Sequence, residues 1–213
     1  MRHFKLETCP FDDGDKLYLK DEIEINEGLT VLVGCNGSGK SSLLKSMKAQ
    51  LRDEPDVSVL YYDNLRDGGN TAKEVAAFHD DLNLLATLIT SSEGEQIVIS
   101  LGQTVRNIGG FVKRHVDECK EIWVMLDAID SGLSVDNIYD IKKHFFDIII
   151  KDFETKQCNL YLVVVANNYE MCVDANCFDV TNGRYCKFNS YEDYRNFIFE
   201  SKSYKDNRYN NTP

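Results

Sequence analysis

Apolar and polar positions follow two patterns along the chain. Four runs are apolar almost throughout, as is typical of strands covered on both faces; they are Leu29 to Val33, Val57 to Tyr62, Ile122 to Leu126 and Leu160 to Val165. The segment Glu22 to Ile25 (EIEI) alternates instead, which indicates a half-exposed strand. Helical patterns lie between the runs, at Lys40 to Leu51, within Thr71 to Ile89, at Glu95 to Val116 and at Val135 to Phe153. This alternation predicts an α/β fold with a largely parallel sheet flanked by helices.

The end of the chain predicts one more helix followed by a polar tail. In SYEDYRNFIFESKSY, one helical stripe carries Tyr191, Tyr194, Phe197 and Ile198, and the tail reads KDNRYNNTP. Such a stripe usually packs onto the core of its own chain, and that interpretation is favoured here. Docking of the stripe onto a partner protein is the alternative.

Composition narrows the class of protein. The 213 residues are 43% hydrophobic, which is enough for one domain with a substantial core. A formal net charge of −11 opposes broad attachment to nucleic acid or to an anionic membrane. The seven cysteines form no CxxC pair, so reduced thiols in a cytoplasmic protein are expected. The sequence shows neither an apolar stretch long enough to span a bilayer nor a signal peptide, so no membrane association is expected.

The strongest motif follows the first fully apolar run. GCNGSGKS, Gly34 to Ser41, matches the pattern G-x-x-x-x-G-K-[ST] of a P-loop, between a predicted strand and a predicted helix. Glycines let backbone N–H groups surround phosphate oxygens, Lys40 neutralises phosphate charge, and the Ser41 hydroxyl binds Mg²⁺. The chain is therefore predicted to bind a nucleoside triphosphate with Mg²⁺. The candidate nucleotide-binding residues are Gly34, Cys35, Asn36, Gly37, Ser38, Gly39, Lys40, Ser41 and Ser42.

A second motif, WVMLDAIDSGLS, begins at Trp123. Its apolar strand carries Asp127 to the strand end, where a carboxylate faces the phosphate loop and binds Mg²⁺ directly or through water. About thirty residues earlier, SSEGE precedes a predicted helix, and the start of that helix is a candidate anion site formed by Ser92, Gly94 and Glu95.

Together these motifs resemble the ABC-type ATPases, and among them the SMC-like, RecF-like and OLD-like group of AAA family ATPases. The resemblance implies a P-loop NTPase fold with a mixed sheet and a small helical lobe at about 64–116, within an ATPase domain at 1–189. Residues 190–213 would form a C-terminal helix and tail. The resemblance assigns four motifs: Gly34 to Ser41 as Walker A, Ser92 to Glu95 as signature, Ile122 to Asp127 as Walker B, and Ser131 to Ser134 as D-loop.

In that family, two subunits stack head to tail around the nucleotide. The signature serine of one subunit contacts the γ-phosphate that is held by the other. The resemblance therefore implies an ATP-bound homodimer, in which Ser92 acts on the partner's nucleotide.

The chain departs from the family at two positions that contact nucleotide or metal. Where the family often has a glutamine near the metal, the chain has Asp63 and Asn64; either is a candidate for the metal or for positioning water, and a solvated loop end is the alternative. Where the family often has a switch histidine, the chain has Asn167, which donates a hydrogen bond but carries no charge.

The third departure is Ala128, at the position where the family has a catalytic glutamate. A methyl group neither accepts a proton nor orients water, so hydrolysis should fall by orders of magnitude while ATP binding persists. Asp130 is the alternative base, although its carboxylate is expected to point elsewhere. Two origins are consistent with Ala128: a laboratory substitution that traps the dimer, or a natural loss that leaves an ATP-sensing clamp.

The interval between Lys40 and Ser92 is too short for a coiled-coil arm, so the chain is interpreted as a bare ATPase head. Three functions follow as hypotheses. The first is an ATP-gated homodimer that controls a separate effector protein, such as a nuclease or toxin, in antiviral defence or DNA processing. The second is a transporter subunit, which the S-x-G-E signature opposes, and the third is a non-catalytic ATP-sensing scaffold. Nucleic acid is a further candidate partner, although charge does not support it and Lys113 to His115 is interpreted as a solvated surface.

Overall fold

A computed structural model of the chain describes residues 1–7, 17–64 and 93–210. The strands are β1 (Arg2–Lys5), β2 (Glu22–Ile25), β3 (Gly28–Val33), β4 (Val57–Asp63), β5 (Glu121–Asp127), β6 (Asn159–Val165), β7 (Asn176–Asp179) and β8 (Arg184–Cys186). The helices are α1 (Lys40–Leu51), α2 (Glu93–His115), α3 (Val135–Ile141), α4 (Asp147–Phe153), α5 (Tyr169–Cys172) and α6 (Tyr191–Asn210), and a π-helical turn, Lys142–Phe146, joins α3 to α4.

Six strands form a mixed sheet in the order β4-β5-β6-β3-β7-β8. The first five are parallel, and β8 pairs antiparallel with β7. Because parallel strands end at the same edge, Asp63 at the end of β4 lies directly beside Asp127 at the end of β5. Strands β1 and β2 form a separate antiparallel pair.

Hydrophobic side chains cover both faces of the sheet. On one face, Leu43, Leu44 and Met47 of α1 pack with inward side chains of β1 and β2. On the other face, helices α2, α3, α5 and α6 contribute buried side chains to the core. Ile149 of α4 is partly buried and packs at the edge of this core. Two-sided burial explains why the central strands are apolar at successive positions.

The fully apolar runs are confirmed as sheet strands, and EIEI is confirmed as the half-exposed strand β2. The helices predicted at Lys40 to Leu51, Glu95 to Val116 and Val135 to Phe153 are present with small shifts of their ends and the π-helical turn in the last. The predicted helix within Thr71 to Ile89, and most of the predicted lobe at 64–116, lie outside the described residues. None of the described helices is long and apolar enough to cross a membrane.

The C-terminal helix differs from its prediction in two ways. Tyr194 is buried, and Phe197 and Ile198 pack at the edge of the same core, so packing on the chain's own core is confirmed for these three. Tyr191 was wrongly assigned to that buried stripe, since it is 60% exposed, and its ring makes a T-shaped contact with the Tyr169 ring. The prediction of a polar tail after Tyr204 was also wrong as far as Asn210, because α6 continues to that residue.

Candidate functional site

The Gly34–Ser41 loop joins the buried strand β3 to helix α1 at the carboxyl edge of the sheet. At two positions of the loop, neighbouring side chains lie so close to the backbone that only glycine fits. At Gly34 (φ 151°), a Cβ atom would collide with the Ser38 hydroxyl. At Gly39 (φ 99°), a Cβ atom would lie 2.9 Å from side-chain carbons of Leu17. The loop therefore has the tight backbone curvature that its sequence predicts.

Lys40 begins α1 and turns back over the loop. Its ammonium group donates to the carbonyl oxygens of Gly34 at 2.7 Å and Cys35 at 3.1 Å. Burial lowers the pKa of Lys40, and electrostatic interactions, among them those with Asp130 and Asp127, oppose this shift. The arrangement holds a cation inside the curve of the loop, where an anionic group would be attracted.

Asp127 lies opposite the start of α1 and is 5% exposed. Its Oδ1 accepts a hydrogen bond from the Ser41 hydroxyl at 2.9 Å, and its Oδ2 accepts one from the Tyr61 hydroxyl at 3.2 Å. A hydroxyl and a carboxylate at this separation are oxygen ligands of the kind that Mg²⁺ prefers. Two of the residues that the sequence predicts for the metal, Ser41 and Asp127, are thus brought into direct contact.

A cavity of about 460 Å³ lies between the loop and the ends of β5 and β6. Its volume is within the range of roughly 300–1,000 Å³ that is usual for ligand sites. The lining residues are Leu17, Asn36, Gly37, Gly39, Lys40, Ser41, Ser42, Lys45, Asp63, Asp127, Ala128, Val165 and Asn167. Much of the loop, the metal candidates Ser41, Asp127 and Asp63, and the departures at Ala128 and Asn167 therefore share one cavity.

Asp63 and Asn64 have different environments, although they are neighbours. The Asp63 side chain lines the cavity next to Asp127. Asn64 instead accepts a hydrogen bond from the Tyr62 hydroxyl at 3.2 Å and donates one to the Ser131 carbonyl at 3.3 Å. Of the two candidates, Asp63 lines the cavity, whereas Asn64 fixes the turn after β5.

Ala128 lines the cavity with a backbone φ of 54°, a left-handed conformation that is uncommon for alanine. Its methyl group offers neither a hydrogen-bond acceptor nor a donor. The turn that follows is closed by hydrogen bonds from Ser131 N–H to the Ala128 carbonyl at 3.0 Å and from Leu133 N–H to the Asp130 carbonyl at 3.2 Å.

Asp130 is 4% exposed and does not line the cavity. One oxygen, Oδ2, accepts the backbone N–H groups of Asn167 and Asn168, both at 2.7 Å. The other, Oδ1, is buried without a hydrogen-bond partner among the described residues. Burial raises the pKa of Asp130, while the two N–H bonds and Lys40 oppose this shift. Its carboxylate thus fixes the segment after β6 and is not placed as a base in the cavity.

Asn167 is held on both sides of its backbone. Its N–H is bound by Asp130, and its carbonyl accepts a hydrogen bond from the Tyr194 hydroxyl of α6 at 3.0 Å. Asn168 then caps α5 by accepting the Glu170 N–H at 3.0 Å. Asn167, which the sequence analysis gives as the candidate switch residue, lines the cavity.

The predicted signature segment is described only in part. Ser92 lies outside the described residues, while Gly94 and Glu95 lie in the first turn of α2, which begins at Glu93. In the described part of the chain, no group of three or more His, Cys, Asp or Glu side chains is arranged to hold a metal. The basic cluster is exposed at Lys113 and Arg114, as predicted for a solvated surface.

Several site residues were not predicted from the sequence. Tyr18 donates to the Gly39 carbonyl at 2.9 Å, and Lys45 adds an exposed cation to the cavity. Ser201 and Lys205 of α6 contact the loop backbone at Cys35 and Asn36. Lys45 could have been found, since it lies one helical turn after Ser41 on α1. No signal in the sequence brings α6 to the loop.

Comparison with protein-family models gives no match, and comparison with curated proteins gives no significant similarity.

Proposed function

We propose that the chain binds ATP with Mg²⁺ in the cavity above the Gly34–Ser41 loop, as a P-loop NTPase of the ABC type. The observation that carries this proposal is the contact between Ser41 and Asp127, at 2.9 Å, beside the buried Lys40 ammonium. A phosphate-binding loop, its cation and a metal-binding pair rarely meet by chance at one sheet edge.

The described residues fit this ligand. Gly34 and Gly39 keep the loop backbone close, so its N–H groups can surround phosphate oxygens. Lys40 supplies the positive charge, and Ser41 with Asp127 supplies oxygen ligands for the metal, with Asp63 as an additional ligand or a water-positioning group. Bound Mg²⁺ would neutralise phosphate charge and fix the phosphate geometry.

The proposal includes a head-to-tail homodimer with ATP between the subunits. It rests on the order of motifs in the sequence, in which Ser92, Gly94 and Glu95 of one subunit would meet the γ-phosphate held by its partner. Because a head of this type acts through another protein, dimer formation would control a separate effector of the nuclease or toxin class. We place this function in the cytoplasm, in antiviral defence or DNA processing.

A non-catalytic ATP-sensing scaffold is the second candidate. Two observations favour this function. Ala128 lines the cavity and offers no proton acceptor. The carboxylate of Asp130, the alternative base, is bound to the Asn167 and Asn168 N–H groups. In both functions ATP binds and joins two copies. They differ in whether restoring a carboxylate at position 128 restores turnover.

Binding and dimer formation are tested together by light scattering coupled to size-exclusion chromatography, with ATP–Mg²⁺, ADP–Mg²⁺ and no nucleotide. We expect a dimer with ATP–Mg²⁺ and a monomer in the other two conditions, because ADP lacks the γ-phosphate that bridges the subunits. Binding of both nucleotides is followed in parallel by titration calorimetry. A chain that binds ATP but stays monomeric would contradict the dimer alone, whereas a chain that binds neither nucleotide would contradict the whole proposal.

A further inference from the structure

Helix α6 carries three polar side chains that reach the backbone of the candidate nucleotide site. They are Tyr194, Ser201 and Lys205, spaced seven and then four residues apart, so they share one face of the helix. The same face carries Ile198, which packs against the core. The hydrophobic contact fixes the helix, and the polar groups lie where the sheet edge carries the site.

Two of these contacts are made to the first half of the Gly34–Ser41 loop. The Ser201 hydroxyl, which is buried, accepts the Cys35 N–H at 3.0 Å. The Lys205 ammonium donates to the Asn36 carbonyl at 3.1 Å. The Lys205 side chain also lies against Gly37: a Cβ atom added to Gly37 would be 3.5 Å from Lys205 Cδ. Lys205 does not line the cavity, so it acts on the outer side of the loop.

The third contact is made to the other side of the cavity. The Tyr194 hydroxyl donates to the Asn167 carbonyl at 3.0 Å, and the Tyr194 ring is buried in the core. Helix α6 therefore binds both the loop that would hold phosphate and the segment that carries Asn167. A single rigid element that contacts both segments sets the distance between them.

We propose that Tyr194, Ser201 and Lys205 are positioning residues for nucleotide binding, and that α6 is thereby a structural part of the nucleotide site. This inference rests on the proposed ATP-binding function and extends it to a helix outside the recognised motifs. Because each contact fixes a backbone group that would otherwise move, its loss costs affinity when the ligand must order the loop. By linkage, nucleotide binding stabilises α6.

Point substitutions test the proposal, since removal of α6 would expose the core. The variants are Tyr194→Phe, Ser201→Ala and Lys205→Ala. Matched controls on the same helix are Tyr191→Phe, Ser203→Ala and Lys202→Ala, whose parent side chains are exposed. ATPγS–Mg²⁺ affinity is measured by titration calorimetry, and each melting temperature is recorded without nucleotide.

Each of the three variants should bind ATPγS about three- to tenfold more weakly than the unaltered chain, the loss expected for one hydrogen bond. The controls should bind as the unaltered chain does. Lys205→Arg should recover most of the affinity, because an arginine can also donate to the Asn36 carbonyl. Hydrogen exchange of α6 amides should slow when ATPγS is added to the unaltered chain.

The outcomes separate this proposal from the function on which it rests. If the unaltered chain does not bind ATPγS, both are overturned. If it binds, and variants and controls have equal affinities, only the positioning role of α6 is overturned. A third outcome is that the variants lose affinity only as far as their melting temperatures fall, and that Lys205→Arg does not recover it. The contacts would then only stabilise the fold, which also contradicts the proposal.

Discussion

The two walls of the candidate cavity differ in what they can do. One wall, formed by the Gly34–Ser41 loop and Asp127, presents the Lys40 cation together with a hydroxyl and a carboxylate that contact each other. The other wall, formed by Ala128 and the segment at Asn167, presents a methyl group and an amide. The carboxylate of Asp130, which does not line the cavity, is bound to the backbone N–H groups of Asn167 and Asn168.

This difference separates binding from hydrolysis in physical terms. Holding a triphosphate requires fixed positive charge, N–H groups and metal ligands, and the first wall has residues of each kind. Activating water requires a proton acceptor beside the phosphate, and the second wall has no such group at position 128. Under the proposed function, the chain would bind ATP and turn it over slowly or not at all.

The largest expected effect comes from restoring a carboxylate to the second wall. Ala128→Glu should increase ATP hydrolysis by about 10²- to 10⁴-fold, the usual contribution of a positioned general base. Hydrolysis is measured by phosphate release at saturating ATP–Mg²⁺. Ala128→Gln is the control, because glutamine has nearly the same size but accepts no proton. Equal rates for the two variants would favour the scaffold function over the ATPase.

Removing the cation should break the first wall. Lys40→Ala should weaken ATP binding by about 100-fold, since it removes charged hydrogen bonds worth about 1.5–3 kcal/mol each. Lys45→Ala is the matched control, because Lys45 is an exposed lysine on the same helix that also lines the cavity. We expect a loss of about threefold or less for Lys45→Ala, as is usual for an exposed charge. Comparable losses in both variants would mean that the loop does not select the phosphate.

A smaller effect is expected from changing the metal side of the same wall. Asp127→Asn keeps an oxygen that accepts the Ser41 hydroxyl, but it removes the negative charge. The gain in ATP affinity that Mg²⁺ confers should therefore fall about tenfold, with binding in EDTA nearly unchanged. Tyr61→Phe, which removes the hydrogen bond to Asp127 Oδ2, is the control and should reduce that gain about twofold. An unaltered magnesium effect in Asp127→Asn would place the metal elsewhere.

The four fully apolar strands, the half-exposed strand β2 and the loop could be predicted from local pattern, whereas β7 and β8 were not predicted. Apolar runs identified the strands because both sheet faces are covered, and the glycine spacing of GCNGSGKS reflects close approaches at Gly34 and Gly39. Both signals depend on residues that are near each other in sequence. The sequence also predicts that Asp127 lies at a strand end that faces the loop, and the contact of Asp127 with Ser41 agrees with that prediction.

Contacts between distant segments could not be predicted. Ser201 and Cys35 are 166 positions apart, and nothing in either segment indicates the other. The last turns of α6 read as a polar tail because their residues have no apolar stripe, yet Lys205 is fixed there by the Asn36 carbonyl. The left-handed backbone of Ala128 also has no local signal, since alanine seldom adopts it.

The smallest expected effect concerns the carboxylate behind the second wall, through the pH dependence of stability. Because burial raises the pKa of Asp130, the folded chain holds that proton at pH values where the unfolded chain has released it. Stability from this group is therefore lost as pH rises from the unfolded pKa, about 3.9, through the raised pKa of the folded chain.

Asp130→Asn should remove this loss while its amide oxygen still accepts the Asn167 N–H. Relative to the unaltered chain, the free energy of unfolding of the variant should rise across that window and become constant above it. Urea denaturation at a series of pH values measures the difference, and a difference that falls with pH would show that the folded chain stabilises the charged carboxylate.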